Sequence, residues 1–178
     1  VMGIHAVYTL MTSDITYDPM NLIMYLPVSL CYIVSMACSF FGIRFIEESL
    51  SDPIENTSGA MCTVLCALLL GDEIAPMVWV AIAIIVIGIL GVSYAEQDAG
   101  RDRKQRLGKK LAMIAFAMPF CYALIDAIGC VLDIYFLEME TSPLIGVTEE
   151  SIELVANVSY ELTFAIIGLI LFIFMKWQ

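Results

Sequence analysis

From residue 76 to residue 95 the chain reads PMVWVAIAIIVIGILGVSYA, without one charged side chain. A helix needs about 20 predominantly apolar residues to cross roughly 30 Å of hydrocarbon, and this run has that length. One such helix can hide in the core of a soluble protein, so the rest of the chain decides. Residues 20–45 and 162–175 are apolar runs of the same kind. Overall 61% of the 178 residues are hydrophobic and 15% are charged, with a mean hydropathy of +0.89. A soluble domain has roughly 45–50% apolar and about 25% charged residues. A single core of this size cannot cover so much apolar surface, so the excess is expected to face lipid. The fold expected is an all-α, polytopic transmembrane helix bundle, with the lipid bilayer as its first partner.

Residues 1–11, VMGIHAVYTLM, are apolar but too short to span, and read as the tail of a helix whose beginning is missing. TSDITYDP at 12–19 reads as a polar turn. A first complete helix is expected from Met20 to about Phe45, with Pro27 as a candidate kink. A second runs from about Pro53 to Leu70 and stops at Gly71. A third starts at Pro76, a favoured first-turn proline. A fourth spans about Lys110 to Phe136 and a fifth about Val155 to Met175. The apolar part of the fifth, residues 162–175, is about 21 Å long at 1.5 Å per residue. That is too short to span, so the helix should extend backwards and draw Glu161 into or near the membrane.

Of the eight Lys and Arg residues, six fall in RDRKQRLGKK at 101–110, and the others are Arg44 and Lys176. Basic residues accumulate in short cytoplasmic loops. The 101–110 connector is therefore expected in the cytoplasm and the acidic segment 138–154 outside, in a multi-pass protein of the cell membrane. One short basic connector is not a nucleic-acid-binding face, so no nucleic acid is expected as partner. The six cysteines, Cys31, Cys38, Cys62, Cys66, Cys121 and Cys130, lie in apolar segments. The single histidine, His5, supplies no clustered ligand set, so they read as free, buried thiols with no metal and no cofactor.

Charges placed inside a membrane cost about 2.5–3.5 kcal/mol on insertion scales and usually face a cavity or a partner. Asp126 lies about 24 Å along its helix from Lys110, and Glu161 about 22 Å from Lys176. Both are expected at similar depth, toward the outer third of the bilayer. Desolvation favours the neutral form of a carboxyl group, which proton-coupled transport needs. Asp133, two turns beyond Asp126, is expected at the outer boundary and solvated. Glu55 and Asn56 head a helix of small residues. On one continuous helix Glu55, Gly59, Cys62 and Cys66 share a stripe, beside Asn56, Ala60, Thr63 and Ala67. Small residues let helices approach closely, so this head reads as cavity lining, against plain helix capping with Ser51 or Asp52 as N-cap. Tyr122, one turn before Asp126, is a further candidate cavity residue.

Four features in order over residues 20–97 carry a family resemblance: FFGIRFIEESLSDPI at a helix end, a small-residue helix, the turn LLLGDEIAP, and AIIVIGILGV. Together they resemble a repeat of the drug/metabolite transporter superfamily, in its EamA-type and small multidrug resistance branches. IDAIGCVLDIYF at 125–136 is similar to the first helix of a small multidrug resistance unit, with Asp126-Ala127-Ile128-Gly129 at the membrane acid. The resemblance divides the chain into a first repeat at 1–97 whose start is missing, the connector at 98–110, and the start of a second repeat at 111–178. It implies a secondary transporter moving a small metabolite or amphipathic compound by alternating access, with protons as candidate coupling ion and a homodimer as candidate assembly. Asp126 would be the proton- and substrate-linked acid, joined by Glu161, Glu55, Asn56 and Tyr122. Two departures stand out. The first repeat's counterpart of Asp126 falls near Ile4 or His5, where no acid stands, and the 138–154 connector is longer than the family's usual loop.

An intramembrane aspartyl protease is the competing enzyme class, and LLLGDE superficially offers a glycine-aspartate pair. Asp72 there follows a helix-ending glycine, and the chain has neither a Ser-His pairing nor a phosphate-binding glycine loop. Catalysis is not expected. The alternative to transport is a membrane scaffold or interaction protein, which would be indifferent to neutralising Asp126.

Overall fold

The computed structural model describes residues 2–13, 15–45, 48–71, 73–95 and 109–177. Every regular element among these residues is a helix. In chain order they are α1 (Met2–Thr12), α2 (Met20–Met24), α3 (Leu26–Ile43), α4 (Glu48–Glu55), α5 (Ser58–Leu69), α6 (Pro76–Ala95), α7 (Lys109–Leu137) and α8 (Ile152–Trp177). Among the described residues, three stretches are long and apolar enough to cross a membrane. They are Leu26–Ile43, Met113–Leu137 and Ile152–Trp177, with mean hydropathies of 1.9, 1.9 and 2.2. These mark the chain as a helical membrane protein. Asp72 and most of the basic connector, up to residue 108, lie outside the described residues, and so does the sidedness read from that connector.

Two expected helices are each divided. The run from Met20 breaks at Tyr25, where α2 ends and α3 begins. Pro27 has no N–H to offer the Ile23 carbonyl, and its ring crowds that carbonyl. Restarting the helix at Leu26 puts Pro27 in a first turn, where a missing N–H costs nothing. The helix expected from Pro53 instead begins at Glu48, ends at Glu55 and resumes at Ser58. Thr57 causes this second break. Its backbone N–H reaches the Ile54 carbonyl at 3.1 Å and its hydroxyl donates to the same oxygen at 2.6 Å. In a continuous helix that carbonyl would serve the Ser58 N–H. The stop at Gly71 is present as expected: φ there is +81°, the left-handed cap conformation glycine adopts without a steric penalty.

The described chain forms two compact units, divided within α3 and within α7. The first comprises residues 1–33 and 132–178. In it α1 and α2 both pack on α8. Gly3 permits the α1 crossing, because a β-carbon there would sit 2.7 Å from Ala165 Cβ. Tyr25, Val28, Leu144, Ile152, Val155 and Ala156 make the core of this unit. The second unit comprises residues 34–131. Its smaller core is Cys62, Cys66, Ala127 and Val131, with Met61, Leu65, Leu70 and Cys130 packed against it. There α4 rests on α6.

Candidate functional site

Four of the five candidate site residues belong to the second unit. Asp126 sits half-buried on α7, inside the apolar stretch Met113–Leu137. The Ser35 hydroxyl on α3 donates to Asp126 Oδ1 at 3.4 Å, the long limit for such a bond. Tyr122 is half-buried on the same helix, one turn earlier. Glu55 closes α4 and accepts two hydroxyl hydrogens, from Ser39 to Oε2 and from buried Ser51 to Oε1, both at 2.8 Å. Ser51 therefore serves the Glu55 carboxylate from one turn earlier in the same helix.

The break at Asn56 and Thr57 changes the expected stripes. Glu55 ends one helix, Asn56 is exposed in the turn, and Gly59, Cys62 and Cys66 belong to the next helix. Cys62 and Cys66 point into the core beside Ala127 and Val131. Gly59 is exposed, with open space where a β-carbon would stand. An apolar cavity of about 260 Å³ opens between α5, α6 and α7, lined among others by Thr57, Ala60, Met61, Ile82, Ile85 and Leu124. The small-residue series contributes Ala60 to that lining.

Glu161 belongs to the first unit. It lies within α8, as the length argument requires, and is largely covered. His5 Nδ1 on α1 stands 2.9 Å and 3.0 Å from its two carboxylate oxygens. Asp133 differs from its expected solvated state. It is half-buried, receives a hydrogen bond from the Tyr25 phenol, and has Tyr32 as a second hydroxyl partner. Tyr32 meets Tyr160 edge to face at 5.7 Å, and Tyr25 meets Phe136 at 6.1 Å, so the carboxyl group's partners are themselves held by ring packing.

Two more contacts tie the ends of this unit together. Between α1 and α2, the Tyr17 hydroxyl bonds Ser159 Oγ at 2.9 Å. Burial pushes the Tyr17 phenol up from its ordinary value, against the Ser159 hydrogen bond and with the help of the Asp18 charge. Asn21 is fully buried and grips the backbone of Ile145 in both directions. Its Nδ2 donates to the Ile145 carbonyl at 3.0 Å, and its Oδ1 accepts the Ile145 N–H at 2.7 Å.

His5 and Asn21 were not among the expected site residues, and Asp133 was expected to be solvated. One signal was available: the chain's single histidine and a membrane-depth glutamate are both rare in apolar helices, and such groups tend to find each other. Asp133 and Asn21 carried no comparable signal. No protein-family model, curated protein or solved structure matches this chain.

Proposed function

We propose that this is a multi-pass secondary transporter of the cell membrane, built from two repeats like the EamA-type drug/metabolite transporters it resembles. It moves a small metabolite or amphipathic compound by alternating access and couples that movement to protons. The observation that carries this reading is Asp126. A carboxyl group stands within an apolar stretch long enough to span, and the serine contact it receives is long, at 3.4 Å. A structural ion pair would bind its acid tightly, because an unpaired charge in hydrocarbon is costly. A loosely held acid suits a group that must exchange a proton or a substrate contact. Glu161, with its imidazole partner on an apolar helix, and Glu55, with two hydroxyl partners at the end of α4, supply further polar groups.

The test is proton-driven uptake by the purified protein in liposomes, using a substrate found by screening. Asp126→Asn should fold and insert normally and lose pH-dependent uptake. Asp126→Glu should retain some uptake with a displaced pH profile, because a titrating group survives. Unchanged pH-driven uptake by the Asn variant removes Asp126 from the mechanism. A membrane scaffold, the other class weighed, would show no uptake in any variant.

A further inference from the structure

The core of the second unit brings together the thiols of Cys62, Cys66 and Cys130. Cys62 and Cys66 on α5 have their Sγ atoms 3.8 Å apart. Cys62 also engages the thiol of Cys130 on α7. Cys62 and Cys66 are buried, and Cys130 packs against the cluster they form with Ala127 and Val131. All three are in the reduced, thiol form. The geometry points to Cys62 and Cys130 as a disulfide-forming pair that ties α5 to α7 next to the Asp126 turn.

Helix geometry chooses the pair. Residues four apart on one helix keep their Cβ atoms about 5–6 Å apart, whereas a disulfide needs about 3.5–4.5 Å. Cys62 and Cys66 can therefore touch as thiols but cannot close without unwinding α5. Cys130 is on another helix, so its Cβ distance from Cys62 is not fixed by the helix repeat. Cys130 also lies one turn beyond Asp126 on α7, and Ala127, the residue after Asp126, shares its core cluster with Cys62. A covalent link at this level would hold α5 against the segment of α7 that carries the proposed coupling acid.

The reaction needs an oxidant, because forming one S–S bond breaks two S–H bonds and releases two electrons and two protons. An uncharged, membrane-permeant azo compound such as diamide fits the apolar setting. One thiol adds across its N=N bond, forming an S–N bond. The second sulfur then displaces the nitrogen, and the azo compound leaves as the hydrazine with both protons and both electrons. Thiolate formation is disfavoured in apolar surroundings, so charged or impermeant oxidants should act slowly. Alternating access requires helices near the site to shift, so the link should also stop uptake. That consequence rests on the transport reading, whereas formation of the link does not.

The experiment treats the whole protein in liposomes with diamide, blocks remaining thiols with N-ethylmaleimide, and maps disulfide-linked peptides by mass spectrometry. The expected map joins the Cys62 and Cys130 peptides and returns to free thiols after dithiothreitol. Cys62→Ser and Cys130→Ser should each abolish the link, and Cys66→Ser should retain it. A map that lacks the Cys62–Cys130 link, or that joins other cysteines instead, overturns the pairing. With the pairing established, wild-type uptake should be lost on oxidation and recovered on reduction, while Cys130→Ser stays active throughout. Undiminished uptake by fully linked protein overturns the tether's effect on transport. Because the peptide map needs no transported compound, it stands or falls separately from the transport reading.

Discussion

In the first unit the Asp133 carboxyl group meets the phenol of Tyr25, and Glu161 meets the imidazole of His5. In the second unit Asp126 meets Ser35, and Glu55 meets Ser39 and Ser51. Each device satisfies a carboxyl group, but the means differ. The Tyr25 phenol reaches out from a ring that is itself packed, so its hydrogen-bonding atom is fixed by its surroundings: Tyr25 is 4% exposed and rests against Phe136. A serine hydroxyl is short, reaches its partner because the helices are close, and turns on one bond. The first unit adds a closure of its own, the grip of Asn21 on the Ile145 backbone. A carboxyl group held by a packed phenol, as Asp133 is, resists rearrangement, while the long Ser35 contact leaves Asp126 cheaper to shift. On that ground the coupling role proposed for Asp126 fits the second unit better than a similar role for Asp133 fits the first.

The strongest way to break this contrast is to remove the closure. Asn21→Ala would leave both the N–H and the carbonyl of Ile145 without their partner and should destabilise the protein by about 2–3 kcal/mol. Thermal unfolding in detergent should register the loss, and protease should cut between residues 138 and 151 faster than in the wild type. Equal protection of that segment would show that Asn21 does not hold it. A somewhat smaller effect, about 1–2 kcal/mol, is expected for Gly3→Ala, because its new β-carbon must displace α1 from Ala165. Ala165→Gly should restore most of that stability in the double variant. A double variant no more stable than Gly3→Ala would mean that α1 does not cross α8 at this point.

Much of the fold was legible because membrane length and local caps leave few options. The start of α6 at Pro76, the stop of α5 at Gly71 and the extension of α8 back past Glu161 all followed from rules that need only neighbouring residues. The break at Tyr25 was partly legible in Pro27, although the helix parts two residues earlier than the proline itself. The break at Asn56 was hidden, because it depends on the Thr57 hydroxyl taking a carbonyl that the helix would otherwise use. The candidate site was legible as a set of residues but not as a set of partners. His5 and Glu161 are 156 positions apart, and Asn21 and Ile145 are 124 apart. No periodicity or spacing carries information over such separations; only the packing of α1 and α2 on α8 brings them together. Asp133 was misjudged for the same reason, since distance along α7 measured its depth and gave no hint of two phenols arriving from elsewhere.

The smallest expected effects bear most directly on the comparison. Tyr25→Phe removes the phenol hydroxyl but keeps the ring, its contact with Phe136 and the Tyr32 hydroxyl beside Asp133. Because the carboxyl group keeps one partner, the loss should be about 1 kcal/mol, the net worth of an ordinary hydrogen bond. Ser35→Ala removes a contact 3.4 Å long, whose share of the loss, isolated in a double-mutant cycle with Asp126→Asn, should be about 0.5 kcal/mol or less. Paired unfolding curves in the same detergent would measure the variants against the wild type. A Ser35–Asp126 coupling equal to or larger than the Tyr25→Phe loss would mean that Asp126 is held as firmly as Asp133. The idea of a loosely held acid in the second unit would then fail, whatever the uptake assay gave for Asp126→Asn.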